Sequence, residues 1–255
     1  MSVALDVSQR PQYSEAEWRQ RVELAACYRL IALYGWDDLV FTHISARLPG
    51  PDHHFLINRY GMMFDEITAS SLVKVDAAGS PLASDAGPVN PAGFVIHSAI
   101  HEAREDVGCV LHTHTPAGVA LSARREGLLP ISQQATIVLT SLGYHDYEGI
   151  AVRDEEKQRL QADLATNKYL ILRNHGLLTV GASVAEAFLH MFTLERACQI
   201  QLLAEGRGEL VMVPASVLST VRDGQRAVRA GMSPAELIWP GALRRLDREN
   251  PGYNA

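Results

Sequence analysis

The chain has 255 residues, is 47% hydrophobic and 20% charged, and carries a formal net charge of −6, which is typical of a globular protein with one substantial core. The net acidity and the lack of a lysine- or arginine-rich run argue against nucleic acid or a membrane as the main partner and favour a small molecule. No apolar run reaches the roughly 20 residues that cross a bilayer, and no signal-peptide pattern opens the chain, so we expect a cytoplasmic protein.

The first part of the chain predicts one helix followed by short strands. Residues 1–13 are polar and predict a flexible N-terminal arm, after which Ser14 caps a helix that ends near Leu33. Strand-like runs at 40–48 and 54–57 flank a proline- and glycine-containing turn and indicate a hairpin. A third run at 72–76 alternates like a strand, and the loop at 81–91 precedes a helix at about 92–103.

The second part mixes strands with helices. We expect a strand at 108–114, a helix at 116–124, an apolar stretch at 136–142, a helix at 155–165, a strand pair that ends near Val180, and a long helix at 183–205. This order predicts an α/β fold of three αβα layers, with a mainly antiparallel central sheet covered by helices on both faces. Residues 14–212 form the predicted domain, and the proline-containing segment 213–255 predicts an irregular tail that packs on a neighbouring subunit.

Three histidines carry the strongest chemical signal. His112 and His114 point to the same face if their segment is a strand, because strand side chains alternate with a period of two. His175 lies between another apolar run and a glycine that permits a sharp turn, so it becomes the third ligand if the two strands are neighbours. Three nitrogen ligands with an open position suit a catalytic metal. The alternative from the residues alone is that these are core or surface histidines.

Other residues support competing or structural interpretations. His97 and His101 have i,i+4 spacing on a predicted helix and form a second, weaker chelating pair, which lacks the glutamate of a zincin. Three cysteines, an odd number spread over the chain, are expected to be free and buried: Cys27, Cys109 and Cys198. The sequence contains no glycine-rich dinucleotide or phosphate loop and no hydrolase elbow.

The segment Asn174-His175-Gly176-Leu177, the strand with His112 and His114, and the spacing between them resemble the class II aldolase/adducin family. Further blocks at 42–47, 66–76, 97–101, 114–118 and 144–147 are most similar to the adducin-like branch. The resemblance covers about 17–205 and implies the class II aldolase-like fold.

The resemblance implies that the three histidines bind a divalent metal, most often Zn²⁺, with Fe²⁺, Mn²⁺ and Co²⁺ as alternatives. In family aldolases the metal acts as a Lewis acid that stabilises an enediolate while a carbon–carbon bond breaks. The resemblance also implies a homo-oligomer, commonly a tetramer, in which a tail residue of one chain completes the pocket of the next; Tyr253 is the residue we name for that position.

The chain departs from the aldolase pattern at one segment. Family aldolases carry Ser-Ser-Glu where this chain has Pro91-Ala92-Gly93, so two phosphate-binding hydroxyls and the acid/base carboxylate are absent. A phospho-sugar aldolase is therefore not expected. We predict His145 as a replacement catalytic group because of its ordinary pKa and neighbouring Asp146, the alternative being a loop histidine bonded to backbone.

The sequence also names residues that would contact a substrate. Four positions match the substrate end of family pockets: Thr42, His43, Tyr60 and Gly61. We expect a metal-dependent lyase of the class II aldolase type that acts on a small, unphosphorylated hydroxy-carbonyl or carboxylate. The alternatives are a decarboxylase or non-haem iron oxygenase that uses the same site, and a non-catalytic adducin-like oligomeric scaffold, against which we weigh the lack of a basic C-terminal extension.

Overall fold

The computed structural model describes residues 13–84, 87–149, 154–206, 208–228, 231 and 233–255. The predicted arm at 1–13 lies outside these ranges except for its last residue. The helices are α1 (Glu15–Leu33), α2 (Pro91–Ala103), α3 (Pro116–Ser122), α4 (Gln133–Leu139), α5 (Asp154–Leu164), α6 (Val184–Glu205), α7 (Ala215–Val228) and α8 (Pro234–Glu249). The strands are β1 (His43–Arg47), β2 (Phe55–Ile57), β3 (Val73–Val75), β4 (Cys109–Thr113), β5 (Leu142–His145), β6 (Tyr169–Leu172) and β7 (Gly176–Gly181).

The seven strands form one mixed sheet in the order β3-β2-β1-β4-β7-β6-β5. Every neighbouring pair is antiparallel except β5 and β6, which are parallel. The predicted α/β fold with a mainly antiparallel sheet is confirmed. The order also makes β4 the common neighbour of β1 and β7, although long stretches of chain separate these strands.

Helices cover both faces of the sheet, as predicted for three layers. One face packs on α1, α6 and their neighbours through the larger apolar cluster, which includes Leu24, Leu111 and Leu177. The other face packs on α2 and α5 through a second cluster, which includes Ile100 and Leu170. All residues of β4, β6 and β7 are buried, because a central strand covered on both sides is apolar without alternation.

The helix α1 begins where the sequence predicts. The Ser14 hydroxyl accepts a hydrogen bond from the Glu17 backbone N–H over 3.1 Å, which satisfies one of the free amides of the first turn. Buried Arg21 pairs with Glu17 and donates to the carbonyl oxygens of Ala69 and Leu72. These bonds hold α1 against the segment that leads into β3.

The segment 213–255 is not irregular, which corrects the sequence prediction. It contains α7 and α8, and Ser233 caps α8 with Glu236 in a reciprocal capping box. Pro234 stands in the first turn of α8, where its missing N–H costs nothing. The domain boundary near 212 and contact of this segment with a neighbouring subunit stay predictions.

The last residues pack on their own chain. Tyr253, predicted to reach a neighbouring pocket, is buried and its hydroxyl donates to Asp247. Arg29 of α1 donates to the carbonyl oxygen of Pro251 and to the side chain of Asn250. The bonds of Arg29 hold the end of the chain against α1, and the role of Tyr253 in a neighbouring pocket stays a prediction.

The structure assigns element types to one stretch that the sequence analysis described only as apolar. The apolar stretch at 136–142 belongs mostly to α4, and β5 starts only at its last residue.

Across the described residues, no helix combines the length and the apolar character needed to span a bilayer.

Candidate metal centre

The three predicted ligands come together at one end of the central strands. His112 lies in β4, His114 follows the last residue of β4, and His175 lies in the turn that joins β6 to β7. Because β4 and β7 are antiparallel neighbours, with Thr113 opposite Leu177, this turn meets the end of β4. One ligand atom from each of the three imidazoles lies within 4.8 Å of the other two.

The turn between β6 and β7 has the conformation that the Asn-His-Gly segment favours. Asn174 has a φ of 56°, in the left-handed region that asparagine tolerates better than most residues. A side chain at Gly176 would overlap the carbonyl oxygen of Thr113. Glycine therefore permits the close approach of the two backbones that places His175 beside β4.

The hydrogen bonds of two histidines leave their Nε2 atoms free for a metal. His112 Nδ1 lies 2.9 Å from the carbonyl oxygen of Leu177, which can only accept, so Nδ1 carries the hydrogen. His114 Nδ1 lies 3.0 Å from Asp38 Oδ2 and donates to this carboxylate. The two Nε2 atoms are 2.9 Å apart. Without hydrogens they would face each other lone pair to lone pair, and a cation between them would remove this repulsion.

Burial supports the neutral, metal-binding form of the imidazoles. Burial, and then the neighbouring histidines, lowers the pKa of His112 well below its ordinary value. The same causes in the same order lower the pKa of His175 to about 4. His112 is buried while His114 and His175 are partly exposed, so the solvent side of the centre lies at these two. The arrangement suits a cation with one side open to a ligand.

His43 lies next to the centre, in space that is available because residue 93 is a glycine. It lies directly across from His112 in the β1–β4 pair, with ring centroids 5.8 Å apart. A Cβ on Gly93 would overlap three atoms of the His43 ring. Burial, and then the charges of His114 and His175, lowers the pKa of His43 to about 3. A neutral imidazole therefore fills the space beside Gly93.

The competing pair on α2 is a buried structural cluster. Ser45 Oγ lies 2.6 Å from His97 Nδ1 and 2.8 Å from His101 Nε2, so one hydroxyl bridges both rings. The His97 ring packs against the His43 ring in a tilted arrangement, with centroids 4.4 Å apart and an interplanar angle of 50°. The Ser45 hydroxyl fixes one nitrogen of each ring, while His97 Nε2 and His101 Nδ1 have no hydrogen-bond partner among the described residues.

His145, the predicted catalytic group, lies at the end of β5 between two carboxylates. Its Nδ1 is 2.8 Å from Asp163 Oδ2, and its Nε2 is 3.5 Å from Glu156 Oε1. The side chain is buried, but its charge acts on His175, whose pKa it helps to lower. The predicted partner Asp146 is not the one found, because β5 directs His145 toward α5.

The remaining predicted substrate residues lie in two places. Thr42 is buried directly before β1, and its Oγ1 has no hydrogen-bond partner among the described residues. Tyr60 is half-buried and its backbone N–H donates to Pro88. Gly61 has a φ of 98° in the turn closed by Met62 and Arg59, so the turn itself requires glycine. Their contact with a substrate stays a prediction.

Sequence reasoning missed three residues that surround the centre. Asp38 orients His114, Tyr147 has its ring centroid 6.2 Å from that of His175, and Glu195 accepts a hydrogen bond from Thr115. Asp38 and Glu195 are 76 and 80 residues from their partners, so no local spacing could reveal them. For Tyr147, the family block at 144–147 was the available signal.

Comparisons with known proteins agree with this architecture. The model of the class II aldolase and adducin N-terminal domain matches residues 22–202. A Pseudomonas aeruginosa protein provisionally named a class 2 aldolase is 57% identical over 254 residues, which cover 98% of this chain and 97% of that protein. The crystal structure of an aldolase II superfamily protein from Pseudomonas syringae is 48% identical with a TM-score of 0.90, covering 97% of this chain and 99% of that one.

Both branches of the family are represented among the relatives. Rat alpha-adducin is 49% identical over 195 residues, 74% of this chain, although the match spans only 26% of that protein. The structure of L-fuculose 1-phosphate aldolase from Glaciozyma antarctica is 29% identical with a TM-score of 0.80, covering 94% of this chain and 96% of that one. The chain belongs to the class II aldolase and adducin family.

Proposed function

We propose that this chain is a metal-dependent carbon–carbon lyase of the class II aldolase type, which holds Zn²⁺ with His112, His114 and His175. The observation that supports it most strongly is the pair of Nε2 atoms 2.9 Å apart, on rings whose Nδ1 atoms are bonded to the carbonyl oxygen of Leu177 and to Asp38. A cation bound there supplies Lewis acidity toward the carbonyl and hydroxyl oxygens of a substrate. Imidazole ligands also bind Fe²⁺, Mn²⁺ and Co²⁺, so these ions are the alternatives to Zn²⁺.

The substrate we propose is a small, unphosphorylated hydroxy-carbonyl compound or carboxylate. Similarity to L-fuculose 1-phosphate aldolase supports the lyase reaction, but Pro91-Ala92-Gly93 offers no hydroxyl or carboxylate to a phosphate. His43 stands next to the ligand His112 and is a neutral group that can hydrogen-bond to a bound oxygen. Thr42, Tyr60 and Gly61 are the other residues proposed to contact the substrate. His145, at the end of the edge strand β5, is the proposed catalytic group.

Metal-dependent enolisation tests this proposal without knowledge of the full substrate. The Zn²⁺-loaded protein is incubated with hydroxyacetone in D₂O, and loss of the α-hydrogen signal is followed by NMR. We expect exchange at least about tenfold faster than with the metal-free protein, since a Lewis acid acidifies the α-carbon.

Two variants make the test specific. His112→Ala should bind less than one equivalent of metal by elemental analysis and lose the exchange. His54→Ala, which changes a histidine of the β1–β2 loop outside the centre, should keep both. Equal exchange by metal-free and loaded protein, or full metal retention by His112→Ala, contradicts the proposal.

A second function is favoured by one specific comparison. Alpha-adducin is 49% identical over the shared domain, which supports a non-catalytic oligomeric scaffold as the alternative. Metal binding with a defined oligomer but no exchange on any hydroxy-carbonyl would favour the scaffold. A decarboxylase or iron oxygenase would instead release CO₂ or consume O₂ in assays with the iron form. The tetrameric state and the cytoplasmic location stay predictions.

A further inference from the structure

Three large apolar side chains are exposed on the two segments that contact the three-histidine centre. Leu39, Phe41 and Tyr147 are 58%, 52% and 55% exposed. Leu39 directly follows Asp38, whose carboxylate binds His114, and Phe41 closes the same turn with its N–H on the Asp38 carbonyl oxygen. The ring of Tyr147 faces His175 on the other side. We call these three side chains the apolar rim.

The backbone at Leu39 adds an independent observation. Its φ of 51° lies in the left-handed region, where a leucine is strained while asparagine or glycine is not. Neither burial nor backbone preference therefore accounts for a leucine at this position. Strain of this kind persists where a site requires the residue, and here the neighbouring residue orients a metal ligand.

The charge around the centre disfavours an anionic substituent. Asp37 and Asp38 begin the turn that carries Leu39 and Phe41, and the Asp38 side chain is 44% exposed. Among the described residues, the hydrogen bonds and ring contacts of the three ligands involve imidazoles, a carboxylate, a carbonyl and a phenol. A phosphate would meet carboxylates beside the rim, whereas an apolar group would cover Leu39 and Phe41.

We propose that the apolar rim binds the substituent of the substrate, so that the substrate class is a metal-chelating hydroxy-carbonyl compound or hydroxy acid with an aromatic or branched aliphatic group. This inference rests on the proposed metal centre. The rim is assigned to a small molecule because Asp38, next to Leu39, binds His114 and the Tyr147 ring contacts His175, so a ligand on the metal would lie beside it; a contact with a second copy of the chain is an outcome of the test below.

Three hydroxamates with the same chelating head test the proposal. Acetohydroxamate, phenylacetohydroxamate and phosphonoacetohydroxamate are titrated into the Zn²⁺-loaded protein by calorimetry. We expect the phenyl compound to bind at least about tenfold more tightly than acetohydroxamate, because it covers apolar surface. The phosphono compound should bind no more tightly than acetohydroxamate. Equal affinities for the first two, or the tightest binding by the phosphono compound, overturn the inference.

Two variants and matched controls locate the effect. Phe41→Ser and Leu39→Gly should each lower the preference for the phenyl compound to within about twofold while acetohydroxamate still binds. Leu39→Gly should keep its melting temperature within about 3 °C of wild type, because relief of left-handed strain offsets the entropy of glycine. Leu82→Ser and Ala165→Gly change another exposed leucine and another left-handed residue, and should keep the preference.

The outcomes separate this inference from the proposed function. If acetohydroxamate shows no zinc-dependent binding, the metal centre itself fails and the inference fails with it. If acetohydroxamate binds but the phenyl compound gains nothing, only the apolar rim is refuted. If Phe41→Ser changes the oligomeric state by light scattering and leaves the preference intact, the rim is a contact between subunits and the inference is wrong.

Discussion

Asp38 is the residue that holds the ring of His114 and fixes which nitrogen faces the centre. We predict that Asp38→Asn lowers the affinity for Zn²⁺ by about tenfold to a hundredfold, because the amide is a weaker acceptor and leaves the ligand less basic. Competition with a chromophoric chelator measures the change. The matched control is Asp37→Asn, at the neighbouring carboxylate, which should change affinity by less than about threefold. Equal losses in both variants would contradict a specific role for Asp38.

Gly93 and His43 form the most informative pair of residues in the chain. We predict that Gly93→Ala destabilises the protein by about 1–3 kcal/mol, because its Cβ would overlap the His43 ring. In the His43→Ala background the same change should be neutral or stabilising by up to about 1 kcal/mol, since alanine is the better helix former. Urea unfolding of the four proteins gives the coupling energy. Additive effects would show that the two residues do not contact.

At this scale the sequence predicts ligands better than their partners. His112, His114 and His175 could be chosen because strand alternation and a glycine turn act over a few residues. Asp38 and the Gly93–His43 contact could not, since each joins segments that meet only in the folded sheet. The sequence shows that residue 93 has no carboxylate, but it does not show that the imidazole of His43 packs against this glycine.

Among the elements, the corner between β4 and α3 contains His114 and the neighbouring Thr115. Thr115 caps α3 by accepting from the Gly118 N–H, and its hydroxyl donates to buried Glu195 of α6. We predict that Thr115→Val destabilises the protein by about 2–4 kcal/mol, because the helix cap and the hydroxyl that donates to Glu195 are both lost. Thermal unfolding monitored by circular dichroism measures it.

A second variant separates the two bonds of this corner. Glu195→Gln keeps an acceptor for the Thr115 hydroxyl, so it should cost less than Thr115→Val. Thr220→Val, in exposed α7, removes a hydroxyl that bonds only its own helix and should change stability by less than about 1 kcal/mol. If all three variants cost the same, the corner has no special role.

Most elements of residues 14–205 follow from local patterns, whereas α4, β5 and the last two helices do not. Continuous apolar segments predict strands that are buried on both faces, and capping residues such as Ser14 predict where helices begin. The prolines after residue 212 predict irregular chain, but the structure has helices there. Pro234 stands in the first turn of α8 behind the cap Ser233, where proline favours a helix, and Pro240 lies inside α8. Proline position, not proline number, decides the outcome.

At the scale of the whole molecule, buried histidines should make the fold sensitive to acid. Burial, and then the charge of Arg47, lowers the pKa of His101 to about 3, below its value of about 6.5 in an unfolded chain. The unfolded chain therefore binds the proton first as pH falls, and the stability is lost between about pH 6.5 and pH 3. Each such histidine contributes a slope of about 1.4 kcal/mol per pH unit.

Comparison of two variants isolates this contribution. The free energy of unfolding is measured in urea from pH 7 to pH 4.5 with a chelator present, so that metal release adds nothing. His101→Gln should reduce the slope by about 1.4 kcal/mol per pH unit, whereas His54→Gln, outside the buried cluster, should leave it near that of wild type. An unchanged slope for His101→Gln would show that His101 is not buried as a neutral group.

Diffraction from crystals grown with Zn²⁺, recorded on both sides of the zinc absorption edge, tests the central claim most directly. The account predicts one anomalous peak about 2.0–2.1 Å from a nitrogen of each of His112, His114 and His175. The peak should be absent in crystals of His112→Ala. A peak at His97 and His101 instead, or no peak at the three histidines in crystals grown with excess Zn²⁺, would contradict the assignment of the metal centre.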